Sequence, residues 1–290
     1  MTVIDAAKPA LSSGKFTIGN KTVHRLGYGA MRLTGKGIWG APTDRGEAIR
    51  VVRRAVELGV DFIDTADSYG PSVSEEIIKE ALSPYQEEIL VATKAGFART
   101  GPDQWVALGR PEYLRQQAEG SLVRLGVDRL DLFQLHRIDP SVPLEDQIGT
   151  LKDLQDEGKV GAIGLSEVSV DELKKAGEIA TIATVQNLYN LTDRKSEDVL
   201  DYATANGIGF IPWFPIASGT LAQPGGPVDH IAKAVGATAG QVALAWLLAR
   251  SNAILPIPGT SSVAHVEENI RAATVSLSDE QVAELSSIGQ

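Results

Sequence analysis

Beyond residue 13 the chain alternates between two apolar patterns, short continuous runs and longer stretches with apolar residues at helical spacing. KFTIGNKTVHRLGYG (15–29) opens with two short alternating stretches around Gly19-Asn20, which predict a β-hairpin. Residues 44–59 read as an amphipathic helix with Asp44 as N-cap and Gly59 as its stop. Strand and helix patterns then take turns: DFIDTAD (61–67), VSEEIIKEAL (73–82), ILVATK (89–94), a helix over 111–126 begun by Pro111, and LDLFQLH (130–136). The alternation continues through a helix over 144–159, GAIGLS (161–166), a helix over 170–179, TVQNLY (184–189) and a helix over 194–207. GFIPWF (209–214), a helix over 238–251, ILPIP (254–258) and helices over 262–273 and 278–288 complete it.

With LGYGA (26–30) there are eight apolar strands after the hairpin, mostly separated by amphipathic helices. Fully apolar strands joined by helices predict parallel βαβ units with both sheet faces covered. Eight such units in about 250 residues predict an α/β protein of the closed (β/α)8 barrel class. An open doubly wound sheet is the competing arrangement. No linker-like stretch divides the chain, so residues 14–290 are expected to be one domain behind a flexible tail, residues 1–13.

Composition narrows the chemistry. The 290 residues include 37 acidic and 27 basic side chains, a formal charge of −10, which disfavours nucleic acid or an anionic membrane as partner. There is no Cys, hence no thiol nucleophile and no cysteine-held metal, and none of the four His are spaced as paired ligands on one helix; no metal is expected. No apolar run approaches the roughly 18–20 residues of a membrane span. The N-terminus lacks the apolar core of a signal peptide, so the expected location is cytoplasmic. Nucleotide and hydrolase motifs fail on inspection. GYGAMR (27–32) has Arg32 where a dinucleotide fingerprint needs its third Gly, MRLTGKG lacks the glycine and the Ser/Thr of a phosphate loop, and GLSEV (164–168) misses a nucleophile elbow by its last residue.

In a parallel barrel the chemistry sits at the C-terminal strand ends. Asp64 ends the second strand with Tyr69 five residues on, Lys94 ends the third and His136 the fourth. Ser166, Gln186-Asn187 and Trp213 close the next three. Taken singly, a strand-end Lys is usually solvated, a lone His usually packs, and a Tyr in a turn is usually only that. Asp, Tyr, Lys and His from three consecutive strands at one mouth make a proton donor instead. A phenol holds its proton too tightly near neutrality, with a pKa of about 10. A neighbouring ammonium lowers it, a carboxylate orients the ammonium, and an imidazole hydrogen-bonds a carbonyl oxygen.

DTADSYG, VATK, LFQLH, GAIGLS, TVQNLYN and LPIPGTSSVAHVEEN, in that order over residues 15–285, resemble the aldo-keto reductase superfamily. IPWFPIASG and IPGTSS resemble its bacterial pyridoxal reductase-like group. The resemblance implies a barrel closed at its bottom by the hairpin, NADPH rather than NADH across its mouth, and catalytic roles for Asp64, Tyr69, Lys94 and His136. It implies cofactor contacts for Gly29, Ala30 and Met31, again for Asp64, for Ser166, Gln186, Trp213 and Pro215, and for Gly259, Thr260, Ser261, His265, Glu268 and Asn269. Glu167 stands where an Asn is common, and Trp213 where many members have Tyr. The basic residues usual around the 2′-phosphate are replaced by Gly259 and His265, leaving hydroxyls and backbone N–H groups at a helix start to hold it.

The implied activity is reduction of a small aldehyde or ketone, pyridoxal or another aromatic aldehyde being favoured, by a monomer or weak oligomer. Specificity falls to the loops 35–43, 96–110 and 214–227. Trp39, Phe97 and Trp105 are candidates to line the pocket or equally to pack their own loops, while Arg99 and Arg110 read as solvated rather than as attracting an anionic substrate. Two other classes stay open: a nicotinamide-binding redox sensor with little turnover, and an unrelated barrel lyase using Lys94 as a Schiff base.

Overall fold

A computed structural model describes residues 7–216 and 226–288. Strands β1 (Lys15–Ile18) and β2 (Lys21–His24) form the expected hairpin. Gly19 at its turn has a φ of +60°, a conformation that favours glycine. There follow β3 (Tyr28–Gly29), α1 (Arg45–Glu57), β4 (Phe62–Asp64), α2 (Val73–Leu82), β5 (Leu90–Ala95), β6 (Phe97–Gly101), β7 (Gln104–Ala107), α3 (Pro111–Leu125) and β8 (Leu130–Leu135). The second half holds α4 (Leu144–Asp156), β9 (Val160–Ser166), α5 (Val170–Gly177), β10 (Ile182–Gln186), α6 (Glu197–Ala205) and β11 (Gly209–Phe210). It ends with α7 (Pro227–Val235), α8 (Ala239–Arg250), α9 (Val263–Arg271) and α10 (Asp279–Ser286).

Seven strands pair in parallel in the order β11-β10-β9-β8-β5-β4-β3, and the eighth predicted strand, ILPIP, closes the ring as a (β/α)8 barrel. On one side Phe210 N–H donates to Ala253 O and Leu255 N–H to Phe210 O, both at 2.8 Å. On the other, Gly27 and Gly29 donate to the carbonyls of Pro256 and Pro258 at 2.9 and 3.3 Å. Proline has no N–H to return, so the closing segment pairs in isolated bridges rather than as a regular strand. The backbones approach closely here: a Cβ on Gly29 would stand 2.6 Å from Ile257 O.

Strand periodicity sorts the side chains. Phe62, Leu90, Ala92, Leu132 and Ala162 fill the barrel interior, where Ile18 and Val23 of the hairpin join them as a plug. Ile63, Val91, Phe133, Ile163 and Val185 face outward into the helices. Asp44 caps α1 as expected, its carboxylate accepting from Glu47 N–H at 2.8 Å, worth about 1 kcal/mol.

Three parts differ from the sequence expectation. Pro9–Ser13 form a short 3-10 helix with Pro9, Ala10 and Ser13 buried, so the flexible tail expected over residues 1–13 does not extend that far. Ala10 N–H bonds Leu58 O, and the Ser13 hydroxyl accepts from Leu26 N–H, which ties the segment down. The loop 96–110 contains the β6–β7 hairpin, and α7 lies in a stretch read without a helix.

Candidate active site

Because alternate residues face inward, the upper interior layer receives Asp64, Lys94, Gln134, Ser166, Thr184 and Gln186, all buried. Lys94 Nζ donates to Asp64 Oδ1 at 2.6 Å, to Thr65 O at 2.7 Å and to Tyr69 Oη at 3.3 Å. The other carboxylate oxygen, Oδ2, accepts from Gln186 Nε2 at 2.9 Å and Gln134 Nε2 at 3.2 Å. Gly164 makes room for this lattice, since a Cβ there would lie 2.3 Å from Thr184 Oγ1 and 2.8 Å from Gln134 Cγ. Gln134 carries no motif signal, only its place two residues before His136 on an inward-facing register.

His136 lies beside Tyr69, ring centroids 5.7 Å apart, and its Nδ1 is 3.3 Å from Ser68 Oγ. Burial, reinforced by the positive charges of Lys94, Arg137 and Arg99, pushes the imidazole well below its usual pKa of 6.5, so it is neutral. The phenol departs from the sequence expectation. Lys94 does favour the Tyr69 phenolate, but burial outweighs it and the net direction is upward from 10.0. Free of substrate, Tyr69 is a tightly held proton donor. Lys94 is raised as well: its burial is more than offset by the carboxylate of Asp64 and by Tyr69, so the ammonium stays charged.

The β6–β7 hairpin carries Phe97 and Trp105 over this centre. Phe97 lies 4.7 Å from the His136 ring, and Trp105 lies 6.3 Å from His136 and 6.4 Å from Tyr69. Trp39 stands farther out, 5.7 Å from the Arg99 guanidinium, which itself stacks on Trp105 at 3.6 Å. Arg99 is not a solvated residue: it donates to the carbonyls of Gly37, Ile38, Ser68, Gly101 and Gln104 and so binds two loops to the tyrosine turn.

Directly after His136, Arg137 Nη1 donates to His136 O at 2.8 Å and to Ser166 Oγ at 3.1 Å. Glu167, at a φ of +55°, accepts on Oε1 from Leu188 N–H at 2.6 Å and from the Trp213 indole N–H at 2.5 Å. The carboxylate that replaces an amide thus fixes the indole. Pro215 is buried just beyond it.

A second group lies where the barrel closes. Gly259 bridges Gly29, next to Ala30 and the half-buried Met31, and Tyr28 Oη donates to Thr260 O at 2.7 Å. Ser261 and His265 are exposed at the start of α9, and Asn269 is half-buried. Glu268 accepts from Thr238 Oγ1 at 2.8 Å on one carboxylate oxygen, Oε1. Glu47 already accepts the Val263 N–H at 3.1 Å.

The aldo/keto reductase family model matches residues 25–290, nearly the whole chain and the whole barrel. The chain belongs to the aldo/keto reductase family. It is 48% identical over 289 residues to an uncharacterized oxidoreductase of Schizosaccharomyces pombe, covering 100% of this chain and 94% of that one. It is 44% identical over 287 residues to pyridoxine 4-dehydrogenase of Escherichia coli, covering 97% and 100%. Among solved structures, an aldo-keto reductase from Klebsiella pneumoniae in complex with NADPH superposes with a TM-score of 0.81 at 26% identity over 94% of each chain. This aldo/keto reductase is an NAD(P)H-dependent oxidoreductase, and Asp64, Tyr69, Lys94 and His136 stand together at its mouth.

Proposed function

We propose that this chain reduces an aldehyde or ketone to the alcohol, with Tyr69 as proton donor and an aromatic aldehyde of the pyridoxal type as substrate. The observation that carries the reading is the Lys94 ammonium set between Asp64 and the Tyr69 hydroxyl. The cofactor is NADPH, which when bound supplies the hydride. The donor set suits it. Ser166 and Gln186 offer a hydroxyl and an amide at neighbouring strand ends for a carboxamide, and the anchored indole of Trp213 offers a stacking face. Gly29, Ala30, Met31 and Pro215 complete that end, while Gly259, Thr260, Ser261, His265, Glu268 and Asn269 form the adenosine end, with hydroxyls and N–H groups at the start of α9.

The neutral imidazole of His136 donates to the substrate carbonyl oxygen and orients it. As negative charge grows on that oxygen, Tyr69 Oη releases its proton there, and the adjacent Lys94 charge stabilises the phenolate left behind. Asp64, held by Lys94, Gln134 and Gln186, keeps the ammonium in place. Phe97 and Trp105 give the substrate an aromatic wall. No single described helix is long and apolar enough to cross a membrane, and a cytoplasmic small-molecule reductase is the proposed setting.

NADPH and NADH titrations followed by tryptophan fluorescence, then turnover of pyridoxal and 4-nitrobenzaldehyde, test the reading. Tyr69→Phe is expected to keep NADPH affinity and lower turnover by about a hundredfold or more. Unchanged turnover in that variant overturns the assignment of Tyr69, and tight NADPH binding without turnover favours a redox sensor.

A further inference from the structure

We propose that Arg137 is a docking point for an oxyanion on the carbonyl substrate, so that carbonyl compounds bearing a carboxylate are preferred over their neutral counterparts. The inference rests on the reductase reading of the same site.

Three observations converge on this residue. Arg137 directly follows His136 and is half-buried beside the catalytic centre, with its guanidinium 5.4 Å from the Phe97 ring. Among the described residues it makes no ion pair, and only Nη1 is engaged, on His136 O and Ser166 Oγ. Nε and Nη2 therefore keep donors in the fork geometry that fits a carboxylate. Glu167 attracts Arg137 without forming a salt bridge to it, its Oε1 being taken by Leu188 N–H and the Trp213 indole.

The contrast with Arg99 sharpens the point. Both guanidiniums flank Tyr69 and His136 without a carboxylate partner, but Arg99 uses Nε, Nη1 and Nη2 on backbone carbonyls. It contributes charge and no donors, whereas Arg137 contributes both. In a chain of net charge −10, two guanidiniums at one mouth without a salt bridge among the described residues form a local positive field. Burial lowers the Arg137 pKa from its ordinary value without threatening its charge near neutrality. A partly desolvated cation with unused donors gains most from an incoming anion.

The test is kcat/KM for 3- and 4-carboxybenzaldehyde, each against its methyl ester, in the wild type, Arg137→Met and Arg137→Lys, with benzoate as inhibitor. The acids are expected to exceed their esters by about tenfold in the wild type, the gain lying in KM. Arg137→Met brings the ratio close to one and weakens benzoate inhibition by a similar factor. Arg137→Lys, which keeps the charge and loses the fork, falls between. An acid-to-ester ratio near one in the wild type overturns the proposal, as does a variant that lowers acid and ester alike, for then Arg137 only props Ser166. If the wild type turns over neither pair nor any other aldehyde, the reductase reading itself fails and the anion site with it.

Discussion

Lys94 and Asp64 are joined by a 2.6 Å ion pair at a point where the lysine side chain has no exposure and the aspartate 3%. Removing one partner leaves the other charge buried without its counter-charge. Lys94→Met is expected to cost about 3–5 kcal/mol in urea unfolding, while the double variant Asp64→Asn/Lys94→Met recovers part of that loss. A double variant as unstable as the sum of its parts would mean that the two residues act independently.

His136 makes folding stability depend on pH on the acid side. Its folded-state pKa lies well below 6.5, so between those values the unfolded chain binds a proton that the folded chain does not. Stability therefore falls as pH drops through 6.5, by about 1.4 kcal/mol per pH unit for this one group, until the folded value is reached. In paired unfolding curves at pH 7.5 and 5.5, His136→Gln is expected to lose less stability than the wild type. Equal losses would show that the imidazole titrates alike in the folded and the unfolded chain.

Glu47 sits on an amide at the start of α9, the place that the cofactor reading gives to a phosphate. An adjacent carboxylate opposes a phosphate, so Glu47→Gln is expected to tighten NADPH binding by about two- to fivefold and leave NADH nearly unchanged. Fluorescence titration of both nucleotides decides it. A parallel change for both would place the 2′-phosphate elsewhere.

Trp213 is held by Glu167 through a charge-assisted bond of 2.5 Å. Glu167→Ala is expected to weaken NADPH about tenfold, and Glu167→Gln, which keeps an acceptor oxygen, to restore most of it. In a Trp213→Phe background, where there is no indole N–H, the alanine substitution should lose much of its effect. Undiminished weakening there would assign the role to the Leu188 amide instead.

The barrel and its ordering of site residues were legible because both rest on short-range periodicity. Eight apolar strands separated by amphipathic helices dictate the layers, and the strand ends then nominate Asp64, Lys94 and His136. The β6–β7 hairpin was harder to see, since FARTGPDQWVA breaks its alternation at Gly101–Gln104, where Asp103 takes a φ of +55°. Gln134 and Arg137 were illegible for different reasons. A Gln inside a strand resembles any polar interruption, and an Arg after a strand resembles a solvated loop residue, until the register shows one facing Asp64 and the other facing Ser166. The direction of the Tyr69 shift was missed because a sequence shows the neighbouring charge and not the depth of burial.

The closure of the ring has a dynamic consequence. A parallel ladder ordinarily draws donors from both strands, but at this joint Gly27 and Gly29 give and Pro256 and Pro258 only receive. The joint can therefore open locally by losing two backbone hydrogen bonds and the Tyr28 Oη–Thr260 O bond, which makes it the natural place for the wall to breathe. Both of its lips, Gly29–Met31 on one side and Gly259–Ser261 on the other, belong to the proposed nucleotide site. A dinucleotide laid across them would act as a clasp, and the amide protons of Gly27 and Gly29 would be the ones whose exchange with solvent slows most when it binds.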